Sequence, residues 1–277
     1  MRYGLIIMHN KFKIKYAVKE VLKMTANYHT HTFRCRHAAG SMGDYALEAQ
    51  KQGIKILGFS DHVPCEFPNG YVSSYRMPVS ETQDYVRDVR ALREKFKGKL
   101  EILIGYECEY YPELFGRVLS NIKRYGCDYL ILGQHFTNNE YDGVYSGSPT
   151  SDVRVLKGYT DRVTEGIRTQ KFSCVAHPDL INFRGDGAVY RREMKRLCQA
   201  AKDCKVPLEL NLLGLKENRH YPREEFWQIA AQVGNEAILG VDAHCPEAFD
   251  AKVFKRGGEY LSRFGIKPIE TLKLKTV

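Results

Sequence analysis

The sequence lacks the features that mark membrane or secreted proteins. It has no run of about 18 or more apolar residues, which argues against a membrane-spanning helix. Its eight cysteines include no Cys-x-x-Cys pair. Residues 1–23 have neither the small-residue cleavage site nor the long apolar core of a signal peptide. We therefore expect reduced thiols and a cytoplasmic protein.

A linker rich in proline, glycine or serine is also missing, as is any segment of low complexity. A length of 277 residues fits one large α/β domain, which we assign to residues 24–277. Residues 1–23 differ because they contain six basic residues and one glutamate, which is +5 of the net charge of +9. We expect this basic extension to be dispensable for activity. The alternative is that translation starts at Met24 and that residues 1–23 result from the choice of an upstream start site.

The charge of the remaining chain limits the kind of partner. Residues 24–277 carry only +4 of the total net charge, whereas a nucleic-acid-binding surface is usually strongly basic. We therefore expect neither a nucleic-acid nor a membrane partner. A mildly basic balance is typical of an enzyme with a small anionic substrate.

From residue 26 onward, short apolar runs alternate with longer segments of helical periodicity. The runs that predict strands are 26–32, 55–62, 101–110, 129–136, 172–179, 207–213 and 237–244. The helical segments are about 43–52, 81–97, 113–125, 151–170, 189–204, 223–233 and 247–264. Seven strand–helix units favour a parallel α/β barrel, and an open doubly wound sheet remains the alternative.

Each predicted strand ends in side chains that can bind a metal or transfer a proton. In strand order these are His29 and His31, Asp61 and His62, Glu107 and Glu109, His135, His177 and Asp179, Glu209 and Asn211, and Asp242 and His244. The carboxyl ends of parallel strands meet at one face, where the active sites of such folds lie. Residues two apart in a strand also project from the same side of it. We therefore expect these groups to form one pocket.

The concentration of imidazole and carboxylate groups predicts a metal centre. A single histidine at a strand end is more often an ordinary polar residue. Six histidines at five strand ends, together with His37 in the first loop, need a common explanation. Nitrogen and carboxylate ligands suit zinc, manganese or iron. Asp61 is either a further ligand or a partner that orients a histidine.

Other polar and thiol groups are expected to have ordinary roles. Three cysteines lie close to the proposed ligands, and small residues that fill space are the simpler interpretation for them. Two histidines fall outside the pattern and are interpreted as surface or loop residues. These residues are Cys35, Cys108 and Cys245, and His9 and His220.

The motifs and their order resemble the PHP (polymerase and histidinol phosphatase) superfamily. The matching elements are H-T-H at 29–31, His37, S-D-H at 60–62, Glu107, His135, A-H-P-D at 176–179 and D-A-H at 242–244. E-L-N at 209–211 and Y-P at 221–222 are similar to the histidinol-phosphatase branch. Each short motif is weak evidence alone, but nine ligand positions in the right order are specific. The resemblance covers residues 24–265.

The resemblance implies a distorted (βα)7 barrel, the PHP fold, with three divalent transition-metal ions at the carboxyl ends of its strands. By position in the motifs, the first ion would be held by His29, His31, Glu107 and Asp242, the second by Glu107, His135 and His177, and the third by His37, His62 and His244. Spacing alone does not separate Glu107 from Glu109 on the same strand face. The order of the family motif favours Glu107.

The implied activity is hydrolysis of L-histidinol phosphate to L-histidinol and phosphate, with attack by a metal-bridging hydroxide. The alternative is a PHP phosphoesterase acting on another small phosphate or on nucleic-acid ends. Asp61 and Arg184 are the expected catalytic residues besides the ligands, Arg184 as the cation that contacts phosphate. Arg36 and Arg154 are alternatives to it. The candidates that would face the ammonium and imidazole groups of the substrate are Glu109, Glu209 and Asp179.

Overall fold

The computed structural model describes residues 24–277, so the predicted extension at 1–23 and His9 lie outside the described residues. Seven strands form one parallel sheet in the order of the sequence. They are β1 Ala26–Asn27, β2 Ile56–Phe59, β3 Glu101–Cys108, β4 Tyr129–Leu132, β5 Cys174–Val175, β6 Leu208–Asn211 and β7 Ala237–Gly240. Helices cover the outside of this sheet, as expected for strand–helix units.

Two backbone hydrogen bonds join the first and last strand segments. The N–H of His31 donates to the carbonyl of Ala243 at 2.9 Å, and the N–H of Ala243 donates to the carbonyl of His29 at 3.2 Å. They form a parallel bridge just beyond the ends of β1 and β7. The predicted (βα)7 barrel is therefore confirmed, and the sheet is not open.

The helices agree with the predicted segments to within a few residues, with one addition. They are α1 Met42–Lys51, α2 Thr82–Lys95, α3 Pro112–Tyr125, α4 Val153–Arg168, α5 Gly187–Asp203, α6 Leu212–Glu217, α7 Glu224–Val233 and α8 Ala251–Ser262. Within residues 24–277, no helix is both long and apolar enough to cross a membrane.

The short helix α6 was missed because six residues give too little periodicity to recognise. It begins directly after β6, where the side chain of Asn211 caps it by accepting a hydrogen bond from the N–H of Gly214 at 2.9 Å. It ends at Glu217 and is followed by Asn218, whose φ of 52° lies in the left-handed region. The prediction of a strand as far as residue 213 is therefore wrong.

Several strands are shorter than predicted because the hydrogen-bonded ladder ends before the polar residues. His29 and His31 follow the end of β1, and Asp242 follows the end of β7. The φ angles of His177 and Asp242 are 28° and 51°, in the left-handed region, which costs of order 1–3 kcal/mol for such residues. Strand alternation therefore does not set the direction of Asp242. The backbone turns out of the sheet and brings these side chains to one point.

The inside of the barrel is filled by large side chains that glycines accommodate. The hydroxyl of Tyr129 on β4 donates to the carbonyl of Tyr28 at 2.7 Å. A Cβ atom at Gly58 or at Gly105 would overlap with the Tyr129 ring. Leu272, from the segment after α8, joins the same buried cluster and donates its N–H to the Tyr28 hydroxyl at 3.3 Å. The C-terminal segment thus covers the amino end of the barrel.

The substitution Gly105→Ala tests this packing. The new methyl group would displace the Tyr129 ring, so we expect the free energy of unfolding to fall by about 1–3 kcal/mol. Urea unfolding followed by circular dichroism measures the difference. As the control, Gly116→Ala lies on α3 with no heavy atom within 4 Å, and should be neutral or stabilising by up to about 1 kcal/mol. Equal stability of the two variants would contradict the packing.

Candidate metal centre

Four donor atoms from three parts of the chain meet at the carboxyl end of the barrel. Glu107 projects inward from β3, and its Oε2 lies 3.6 Å from His29 Nε2 and 3.5 Å from His31 Nε2. Asp242 Oδ1 lies 3.4 Å from His29 Nε2 and 3.2 Å from His31 Nε2. The two Nε2 atoms are 3.2 Å apart. The structure therefore brings the first predicted ligand set together.

These separations fit a small metal ion. Ligands at about 2.0–2.2 Å from a tetrahedral ion lie about 3.3–3.6 Å from one another. All four side chains are buried, with Glu107 and His29 each 1% exposed. Asp242 Oδ1 is buried and has no hydrogen-bond partner among the described residues. A cation at this point would satisfy that oxygen, and nitrogen and carboxylate donors suit zinc, manganese or iron.

The second oxygen of Glu107 belongs to another donor set. Glu107 Oε1 lies 2.8 Å from His177 Nε2 and 3.4 Å from His135 Nε2. The two oxygens of one carboxylate thus face two groups of imidazoles, which is the arrangement of a bridging ligand. A Cβ atom at Gly133 would overlap with this carboxylate, so the glycine leaves the space that Glu107 occupies.

The three residues predicted for a third ion are more loosely arranged. The ring centroid of His37 lies 4.8 Å from that of His244 and 5.5 Å from that of His62. The donor atoms of His37 and His244 group with those of His31 and Cys35, while His62 groups with Glu109 and His135. The buried Cys35 thiol, interpreted from sequence as filling space, is thus among the donors.

Three buried carboxylates lie next to the Nδ1 atoms of imidazoles that are proposed metal ligands. They belong to Glu209, Glu109 and Asp61. Glu209 Oε1 lies 2.8 Å from His29 Nδ1, and Glu209 Oε2 accepts the backbone N–H of His177 at 2.9 Å. Glu109 Oε1 lies 3.0 Å from His135 Nδ1. Such partners fix the ring orientation and the tautomer of a metal-binding histidine. The structure therefore separates Glu107 of β3 from Glu109, which directly follows the strand: Glu107 lies at the centre, and Glu109 contacts His135 Nδ1 on the far side of the ring.

Asp61 lies beside His31 in a looser arrangement. One oxygen of Asp61 accepts the N–H and the hydroxyl of Thr32, and the other accepts the N–H of His62 at 2.8 Å. His31 Nδ1 lies 3.6 Å from Asp61 Oδ1. Both oxygens of Asp61 thus already accept hydrogen bonds, and Asp61 belongs to none of the groups of possible metal donors.

Burial and charge shift the pKa values of the first donor set in opposite directions. Burial opposes protonation of His29 and His31, but the neighbouring carboxylates, Asp242 foremost, raise the pKa of both imidazoles well above the usual value. Burial likewise opposes ionisation of Glu107 and Asp242, yet the surrounding histidines hold the pKa of each carboxyl well below its usual value. The carboxylates are therefore ionised at neutral pH.

For two other histidines, His62 and His244, burial has the largest effect on the pKa and lowers it. It lowers the pKa of His62 to about 4 and that of His244 to about 3. Both imidazoles are then neutral at pH 7 and present a lone pair for a metal ion.

A cavity of about 680 Å³ opens above these donors. Its walls are partly aromatic and also carry one cation and one carboxylate that the sequence reasoning missed. The wall residues are Tyr75, Phe136, Tyr145, Tyr221, Glu217 and Arg219. Tyr221 belongs to the Y-P motif, whereas the others come from loops and from α6, where no motif identifies them. A cavity of this size suits a small organic substrate.

The arginines predicted to contact phosphate do not line this cavity. Arg184 is exposed, and its Nε donates to Asn182 Oδ1 at 3.2 Å. Arg36 donates to the carbonyl of Ser73 at 2.9 Å, and Arg154 pairs with the neighbouring Asp152. In place of these, the guanidinium of Arg219 lies in the wall, where it donates to the Tyr221 hydroxyl at 2.9 Å.

The acidic residues expected to face the substrate also have other partners. Glu109 and Glu209 lie behind histidines, as described above. Asp179 is buried away from the cavity and accepts the N–H of Arg223 at 2.6 Å, and burial raises its pKa to about 6. Besides the proposed metal ligands Glu107 and Asp242, the carboxylate that lines the cavity is Glu217.

A family model described as the PHP domain matches residues 27–212, more than half of the chain. The chain belongs to the PHP domain family. A Deinococcus radiodurans protein named probable histidinol-phosphatase is 27% identical over 229 residues, which cover 79% of this chain and 85% of the relative. A Thermoanaerobacter protein named probable phosphatase is 24% identical over 258 residues, which cover 92% of this chain and 91% of the relative.

A solved structure shares the fold. It is the histidinol phosphate phosphatase of Lactococcus lactis in complex with zinc, L-histidinol and phosphate. Its TM-score to this chain is 0.69 at 16% sequence identity, and the match covers 89% of this chain and 95% of that chain. At this identity the likeness supports the barrel fold.

The raised pKa values of His29 and His31 predict a pH dependence of metal binding. Both imidazoles must lose a proton before they bind a metal ion, so zinc binding should release protons. The affinity should rise as the pH increases from about 6 to about 8. Calorimetric titrations in two buffers of different ionisation enthalpy count the released protons. An affinity independent of pH, with no proton release, would contradict the predicted ligands.

The substitution Gly133→Ala tests the position of the bridging carboxylate. A methyl group there would push Glu107 away from the imidazoles, so we expect zinc affinity to fall by about 10–100-fold, as for other disturbed ligand supports. Zinc titration against a chromophoric chelator measures the change. Gly158→Ala on α4, where a Cβ atom makes only ordinary contact, is the control and should bind zinc like the wild type. Equal zinc affinities of the two variants would show that a methyl group at position 133 does not displace Glu107.

Proposed function

We propose that the protein is a metal-dependent phosphomonoesterase that hydrolyses L-histidinol phosphate to L-histidinol and phosphate. The observation that carries this proposal is the shared carboxylate of Glu107 at the floor of the cavity, between two sets of imidazoles. Phosphoryl transfer to water benefits from adjacent cations, because the phosphoryl oxygens already carry negative charge. The names of the curated relatives and the family match support the same class of reaction.

The proposed cofactors are three divalent ions, with zinc, manganese and iron as candidates. Their ligands would be His29, His31, His37, His62, Glu107, His135, His177, Asp242 and His244. Bound ions of this kind neutralise phosphoryl oxygens and lower the pKa of water. The chain's own contribution is to hold the donors in place: the imidazoles of His29 and His135 each contact a carboxylate through Nδ1, and Asp61 lies 3.6 Å from His31 Nδ1. We assign Asp61 this positioning role at His31.

Substrate binding is assigned to the cavity wall. Arg219 is the one arginine or lysine among the described residues that line the cavity, and we give it the phosphate contact that the sequence suggested for Arg184. Glu217 accepts a hydrogen bond from Arg219 Nε at 2.8 Å and offers a carboxylate to the ammonium group of histidinol. Tyr145 and Tyr221 provide flat faces on which an imidazole ring can stack.

An assay of phosphate release tests the substrate. The protein loaded with zinc or manganese is compared on L-histidinol phosphate, sugar phosphates, nucleotides and single-stranded DNA. We expect the highest kcat/KM with L-histidinol phosphate, because the wall combines an acidic group with aromatic faces. Equal and weak turnover of all compounds would contradict the assignment. Preference for DNA ends would instead favour the alternative phosphoesterase.

The two arginines give a matched pair of variants. Arg219→Met removes a charged hydrogen-bond donor from the cavity wall, which is worth about 1.5–3 kcal/mol, so kcat/KM should fall by roughly 10–100-fold. Arg184→Met changes an exposed side chain outside the wall and should leave the steady-state parameters unchanged. The opposite result, with Arg184→Met impaired and Arg219→Met active, would restore the assignment made from sequence.

A further inference from the structure

We infer that Arg76 is a positioning residue, which holds the imidazole of His135 in its metal-binding orientation by fixing the carboxylate of Glu109. Arg76 belongs to the loop between β2 and α2 and lies outside every motif recognised in the sequence. The inference rests on the metal-binding role proposed for His135. It extends the proposed function by adding a residue on which the geometry of the centre depends.

Every N–H group of the Arg76 guanidinium has a partner. Nη1 and Nη2 donate to the two oxygens of Glu109 at 3.1 and 2.9 Å, which is a bidentate pair. The remaining donors reach the Val63 carbonyl at 2.9 Å, the Tyr75 hydroxyl at 2.6 Å and Glu140 Oε2 at 2.8 Å. The side chain is 2% exposed. Lysine has only three donors on a single atom and would not reproduce this set of contacts.

The ion pair of Arg76 and Glu109 is in contact with His135, a proposed metal ligand. Glu109 Oε1 bonds Arg76 and also lies 3.0 Å from His135 Nδ1. With Nδ1 engaged, His135 directs its Nε2 toward Glu107 Oε1, 3.4 Å away. A carboxylate held in one orientation fixes both the ring angle and the tautomer of the histidine it contacts. Arg76 therefore acts on His135 through Glu109.

Loss of Arg76 would change the charge or the position of the Glu109 carboxylate. Glu109 is 3% exposed, and a buried carboxylate without its cation either takes up a proton or moves toward water. In both cases its contact with His135 Nδ1 changes. The same guanidinium also binds Tyr75, which lines the cavity, so one side chain connects the cavity wall to the metal centre.

Zinc binding to the purified full-length protein tests the inference without any substrate. Apparent dissociation constants are measured by chelator competition for the wild type, Arg76→Met, Arg76→Lys and Glu109→Gln. Thermal unfolding without zinc is recorded in parallel. We expect Arg76→Met to weaken the binding of one ion by about 10–100-fold, with Arg76→Lys intermediate. The double variant Arg76→Met/Glu109→Gln should bind zinc no more weakly than the worse single variant, because both substitutions disturb the same contact between Glu109 and His135.

Glu140→Gln is the matched control, since Glu140 is a second partner of Arg76 with no contact to His135 in the described residues. It should lower stability and leave zinc affinity unchanged. The visible spectrum of the cobalt-substituted protein gives a second readout, which should change in Arg76→Met and Arg76→Lys but not in Glu140→Gln.

Three results would overturn the inference. Zinc affinity and cobalt spectra of Arg76→Lys equal to those of the wild type would show that the bidentate pair is not needed. Additive losses in the double variant would show that Arg76 does not act through Glu109. A wild-type protein that binds no zinc would refute the proposed function together with the inference, whereas the first two results refute the inference alone.

Discussion

The site depends on the placement of one buried carboxylate. Glu107 presents one oxygen to His29 and His31 and the other to His135 and His177, at 2.8–3.6 Å. A group buried this deeply is stable as an anion only when positive charge surrounds it. Its position on the inner face of β3, together with the space left by Gly133, therefore determines where cations can be held.

The acidic residues around the centre have a common role. Glu209 and Glu109 each contact the Nδ1 atom of one imidazole, and Asp61 lies 3.6 Å from that of a third, so the other ring nitrogen of each faces the cavity or the central carboxylate. The charges are buried, and each carboxylate has further hydrogen-bond donors from the backbone or from side chains. These contacts explain why Glu209, Asp61 and Glu109, which look like metal ligands in the sequence, lie beside the imidazoles and not at the centre. The pairs are His29 with Glu209, His31 with Asp61, and His135 with Glu109.

The fold and the convergence of the donor residues at one end of the barrel could be predicted from local patterns, whereas the division of those residues into donor sets came from the family resemblance. Alternating strands and helices predict a barrel, and strand ends converge on one face. The contacts of Arg76 and Arg219 could not be predicted, since they depend on how loops fold over the barrel. The left-handed backbone at Asp242 also has no local signal, because only the convergence of distant ligands makes that conformation useful. The assignment of the nine ligands to individual ions stays a prediction, and the set around His37 is the most loosely arranged.

We expect Glu107 to bridge two metal ions. Anomalous X-ray diffraction from crystals of the zinc-loaded protein, recorded on both sides of the zinc absorption edge, measures this directly. One peak is expected among His29, His31, Glu107 and Asp242, and a second about 3.5–4 Å away that shares Glu107. A single peak remote from Glu107, or no peak at the carboxyl end of the barrel, would contradict it.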